Sequence, residues 1–111
     1  MQNPYVNKEP QRGDPALDGY MLTAAMLSDT ADLTRYARAM CIYNSSASDI
    51  TIYATLVQDE TADSSTRVHF TVPSYGVSWE PISVRRIWVT GNSALAAALA
   101  AGTLEALMVT E

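Results

Sequence analysis

The feature that most constrains this chain is the two-residue alternation of apolar and polar side chains between Arg67 and Thr90. Val68, Phe70 and Val72 share one parity, Ile82 and Val84 repeat it, and Ile87 and Val89 resume after a slip of one at Arg85-Arg86. A period of two places one set of side chains on a buried face of a strand and the other set in water. A slip inside such a run marks a β-bulge, which re-aims the residues beyond it. The expected core of this face is Leu56, Phe70, Val72, Ile82, Val84 and Val89.

The rest of the chain follows the same grammar. Residues 38–43 are nearly all apolar, as a strand buried on both sides would be. A Ser/Asn/Asp turn cluster follows, and residues 50–57 alternate with Ile50, Ile52, Ala54 and Leu56 on one face. Residues 58–65 form a polar, acidic loop. Arg67–Val72 reads as a strand stopped by Pro73, Tyr75-Gly76 as a turn, and residues 82–90 as a bulged strand ended by Gly91-Asn92. Ser93–Ala101 is Ala-rich and fits a two-turn helix, with Asn92 or Ser93 as N-cap and Gly102 just past its end. Leu104–Val109 is a closing apolar strand. The expectation is an all-β fold, a small β-sandwich or barrel of five to six strands with at most one short Ala-rich helix.

Residues 1–28 differ. Pro4, Pro10 and Pro15 exclude a regular helix or an inner strand. Yet Tyr5, Val6, Leu17, Tyr20, Met21, Met26 and Leu27 make the stretch too apolar for an idle tail. It reads as an extended N-terminal arm that lies along neighbouring subunits or another surface, with residues 29–111 as a single β domain.

The chain of 111 residues suits one domain, and 48% apolar residues supply a core. Its net charge is −5 and only Arg85 and Arg86 are adjacent basic residues, so no direct contact with nucleic acid is expected. No apolar run approaches the roughly 20 residues of a membrane span. The first residues lack the apolar centre of a signal peptide, so synthesis in a reducing cytoplasm is expected. Cys41 stands alone in the most apolar strand and reads as a buried, inert thiol. His69 has no Cys or second His near it for a zinc site. Asp59, Glu60 and Asp63 lack the calcium-loop spacing and read as a solvated loop. Asp29-Thr30-Ala31 matches the triplet of dimeric aspartic proteases. The weak apolar lead-in, the missing Gly-rich flap and the extra charge of Asp32 speak against that chemistry. Catalytic, cofactor-binding and metal-binding residues are therefore all expected to be absent. Arginine makes up six of the seven basic residues, a bias that suits interfaces. The candidate interface residues are Arg38, Arg85, Arg86, Tyr5, Tyr20 and Trp79, with the arginines expected to meet an acidic loop of a neighbour.

From Ser28 onward the chain resembles the small head-spike base proteins of gene-transfer agents and related tailed phages. The resemblance runs through Asp29-Thr30-Ala31-Asp32-Leu33, the strand Arg38-Ala39-Met40-Cys41-Ile42-Tyr43 and the strand opening Asp49-Ile50-Thr51-Ile52. It continues in Val68-His69-Phe70-Thr71-Val72-Pro73-Ser74-Tyr75-Gly76 and in the run from Pro81 through Arg85-Arg86 to Thr90-Gly91, with Ala106-Leu107 near the end. The family's Thr-rich turn is shorter than residues 92–103 here, and residues 1–27 match no part of the pattern. The resemblance implies a non-enzymatic virion structural protein, made in the host cytoplasm. It would form a symmetric homo-oligomer, such as a pentamer, that anchors a spike or fibre to the major capsid protein. A capsid cement or decoration protein and a tail adaptor belong to the same class. A stand-alone carbohydrate-binding sandwich using Tyr75, Trp79 and Trp88 is the reading from a different class. No cofactor and no membrane partner is implied.

Overall fold

Along the chain, the alternating runs become β1 (Gly19–Met21), β2 (Ala39–Asn44), β3 (Ile50–Leu56), β4 (Arg67–Val72), β5 (Gly76–Glu80), β6 (Val84–Ile87), the helix α1 (Ser93–Ala101) and β7 (Leu104–Val109). The computed structural model describes residues 18–110, so Tyr5 and the three prolines of the expected arm lie outside the described residues. Two antiparallel sheets form, one in the order β1-β7-β2-β5 and the other β4-β3-β6. Their inner faces enclose one core. Met40, Ile42, Ala106 and Met108 come from the first sheet, and Ile50, Ile52, Ala54, Val72, Val84 and Ile87 from the second. The fold is a small β-sandwich with one short helix.

Several expectations hold in detail. β3 turns Ile50, Ile52 and Ala54 inward, and β4 ends at Val72 before Pro73. The helix spans Ser93–Ala101 and ends at Gly102, whose left-handed φ of 78° suits a residue without a β-carbon. The bulge falls where the phase slips: Thr55 pairs with Arg86 and Leu56 with Val84, leaving Arg85 as the extra residue of β6.

Other expectations are corrected. β6 stops at Ile87; Trp88 is buried on the outer side of this sheet against Thr55, Arg67 and Arg86, and Val89 is 51% exposed. The cause is the backbone beyond the bulge, where the amides of Val89 and Thr90 turn out of the sheet to donate to the Asp29 carboxylate. Phe70, Leu56 and Ile82 pack at the margin of the core and are only partly buried. β2 is not buried on both sides; on its outer face Ala39 is buried beside Val109, but Cys41 is half-buried and Tyr43 is exposed. The β domain also starts earlier than residue 29. β1 pairs with β7, and Leu22 and Leu27 are buried in the shared core, so residues 19–27 belong to the sandwich and not to an arm. β5 was not expected, since its apolar Val77 and Trp79 point outward.

Two buried amides tie segments together where regular strand pairing stops. The Asn92 side-chain amide donates to the carbonyls of Tyr53 (2.9 Å) and Trp88 (2.6 Å), and its oxygen accepts from the Tyr53 amide at 2.9 Å. It thus continues the ladder on β3 where β6 has ended. Near the Ile50–Val72 pair Asn44 donates to Ser48, Val72 and Pro73 carbonyls and accepts from the Ser46 amide. Both residues are fully buried, so their polar groups must be satisfied internally.

Burial decides the cost of substitution. Ile52→Ala should destabilise by about 2–5 kcal/mol, and Val89→Ala should stay within about 0.5 kcal/mol. Urea midpoints of the two variants check this; equal losses would mean that the inner parity beyond Arg86 is misassigned.

Candidate interaction surface

The turn from Ser28 to Leu33 is built to hold β6. The Ser28 hydroxyl accepts from the amides of Thr30 (3.1 Å) and Ala31 (2.9 Å), which closes the turn locally. The amides of Ser28, Leu33 and Ala37 donate in turn to the carbonyls of Ile87, Arg85 and Val84. This segment therefore covers the outer edge of β6, one of the ways a sheet protects an edge from pairing with another chain.

Two carboxylates complete the clamp. Asp32 accepts from Arg85 through one oxygen, from Nη2 at 2.7 Å and Nε at 3.0 Å, and from Arg86 Nε through the other at 2.9 Å. Arg85 also donates to the Asp59 carbonyl, and Arg86 to the Asp29 carbonyl. The Arg86 guanidinium stacks 5.1 Å from the centre of the Trp88 ring. Burial alone would raise the Asp32 carboxyl, but the hydrogen bonds and charges of the two arginines outweigh it and hold the group below the usual carboxylate range. Asp29 is lowered as well, first by the Thr90 hydroxyl and then by the Thr90 amide. Asp29, the first residue of the triplet, and Asp32 beyond it thus bind β6 and the turn after it.

This placement changes the reading of the candidate arginines. Arg85 and Arg86, expected to meet an acidic loop of a neighbour, engage Asp32 of their own chain across more than fifty residues of sequence. Arg38 is exposed. Tyr20 is half-buried with its hydroxyl donating to the Arg35 carbonyl, which makes it part of the domain; burial raises its pKa. Asp63 caps the turn before β4, and His69 lies exposed beside the Tyr53 ring. No cluster of metal-ligating side chains occurs among the described residues. A cleft of about 580 Å³ lies beside Tyr20, Met26, Leu27, Leu33 and Arg35.

Trp79 is different: it is 57% exposed and belongs to an array. On the outer face of the four-stranded sheet the register aligns Met21 with Leu107, Leu107 with Cys41, and Cys41 with Trp79. One apolar row therefore crosses all four strands, about 14 Å at the usual strand spacing. The next row aligns Glu105, Tyr43 and Val77. Met21, Tyr43, Leu107 and Trp79 are each more than 40% exposed. Scattered exposed apolar side chains are ordinary, whereas a contiguous apolar patch is the mark of an interaction surface. Sequence reasoning named Trp79 alone, although the matching parity of Cys41, Tyr43, Val77 and Leu107 was readable once the strands were paired.

Removing the Asp32 carboxylate should leave Arg86 nearly buried without its partner. Asp32→Ala should destabilise by about 1–3 kcal/mol, between an exposed and a fully buried pair. The same clamp gives an acid dependence. Asp29 and Asp32 have folded pKa values below their unfolded ones, so their contribution is present above about pH 4 and lost as pH falls through the lowered values. Melting temperatures from pH 7 to pH 2 should fall less steeply for Asp32→Asn than for the parent chain; parallel curves would exclude the clamp.

Comparison with family models, curated proteins and solved structures gives no match. The functional reading rests on the surface above and on the residues that carry the resemblance.

Proposed function

We propose that this chain is a non-enzymatic structural protein of a tailed phage or phage-like particle, an oligomeric vertex or spike-base protein that anchors a spike or fibre to the capsid. The observation that carries this reading is the apolar row Met21–Leu107–Cys41–Trp79 on the open face of a sheet whose other face is already packed. Such a face favours burial against protein over exposure to water. The residues of the resemblance support the same reading: Asp29 and Asp32 from its first block close on Arg85, Arg86 and Thr90 from its last.

The carbohydrate-binding alternative loses one of its three aromatics. Trp88 is 6% exposed, donates to the Thr55 hydroxyl and is covered by Arg67 and Arg86. Of those three, Tyr75 and Trp79 present rings to solvent.

Electron cryo-microscopy of particles from cells that express this chain tests the proposal. Density for a symmetric ring of this sandwich beneath a spike or fibre is the expected result. Density spread over the capsid faces would make it a cement protein, density on the tail an adaptor, and absence from purified particles would overturn the proposal.

A further inference from the structure

We infer that the apolar row of the four-stranded sheet is the docking site for residues 1–17 of a second copy of this chain. The inference rests on the oligomeric reading above and names the surface that joins the copies.

Three observations lead to it. The first is composition. With prolines at positions 4, 10 and 15, the segment is unsuited to an inner strand or a regular helix, because each proline removes an amide donor. A proline-punctuated segment instead favours an extended, polyproline-like path, whose usual partner is a surface lined with aromatic rings. The outer face offers Trp79 and Tyr43 beside Met21 and Leu107. At about 3.1 Å per residue, five residues of such a segment would cross the row. Tyr5 and Val6 supply apolar side chains for it, and Lys8 and Arg12 follow at a distance that lets a cation meet the exposed Glu105 of the neighbouring row.

The second observation is where the described chain begins. The Asp18 carbonyl accepts from the Thr110 amide at 2.8 Å, and the Asp18 carboxylate pairs with Arg35 at 2.8 Å, so the start of β1 is fixed at the sheet edge. The third is direction. β1 runs from Gly19, opposite Val109, to Met21, opposite Leu107. The described chain therefore begins, at Asp18, beyond the Ala39–Val109 end of the sheet, the end away from the rows at Leu107 and Glu105. A segment on its own face would first have to reverse; a segment from a neighbouring copy would not.

Photo-crosslinking in the full chain tests this. A copy with p-benzoylphenylalanine in place of Tyr5 is mixed with isotopically heavy copies of the parent chain, irradiated, digested and analysed by mass spectrometry. Crosslinks from light position 5 to heavy peptides containing residues 39–44, 76–80 or 104–109 are expected. Leu107→Glu and Trp79→Ser, each made in the heavy copy, should abolish them without changing its melting temperature, since both side chains are exposed. The alkylation rate of Cys41 in the parent chain should rise on the order of tenfold on dilution below the assembly concentration, as for a face nine-tenths occupied. Crosslinks confined to the light chain would place the segment on its own face and overturn the inference, as would crosslinks to other strands. An oligomeric, particle-bound protein without these crosslinks would leave the proposed function standing and remove this interface alone. A monomer absent from particles would remove both.

Discussion

A single carboxylate pins the bulged strand of this sandwich. β6 has four residues, carries a bulge, and contributes two adjacent arginines at the margin of the core. Left alone, those guanidiniums would oppose burial of the strand that bears them. Asp32 engages both, one through each oxygen, while Asp29 takes the amides that leave the sheet after Trp88. The same turn runs backbone hydrogen bonds along the outer edge of β6. Local turn chemistry at Ser28, charge pairing at Asp32 and edge protection thus act on one strand together. The buried amides of Asn44 and Asn92 then satisfy backbone groups where strand pairing stops.

That arrangement divides the surface into two kinds. The second sheet is occupied with its own closure, because β6 is covered by the 28–37 segment and the outer side of β3 is covered in part by Arg67 lying over Tyr53. The first sheet keeps its outer face open and apolar. A sandwich buries two inner faces against each other, so the outer faces are free to be polar. Here one of them is not, and the exception spans every strand of its sheet. Solubility would favour a charged residue somewhere along Met21, Leu107, Cys41 and Trp79, and none is there. An interface explains that choice where stability of the single chain does not.

Much of this fold was legible in the sequence where one face of a strand is wet and the other is dry. β3, β4, β7 and α1 follow from period and punctuation, and the slip at Arg85-Arg86 located the bulge. The failures share a cause. β5 alternates, but its apolar residues point outward, so burial in the single chain gives its parity no meaning. β2 has apolar residues on both faces, which looks like double burial whether the second partner is part of the chain or another molecule. Val89 lost its inward place because a carboxylate sixty residues earlier draws the backbone away, and no local pattern encodes that. For the same reason the arginines were seen as interface residues. Their charge was readable, but the partner at Asp32 became visible only when distant segments met.

The central claim is that the open face joins copies of this chain. Sedimentation equilibrium of the full chain over a wide concentration range, beside its Leu107→Glu variant, tests it most directly. The account requires a self-associating parent, and a variant that remains a folded monomer under the same conditions with unchanged far-ultraviolet circular dichroism. A parent that stays monomeric throughout, or a variant that assembles as well as the parent, would contradict it.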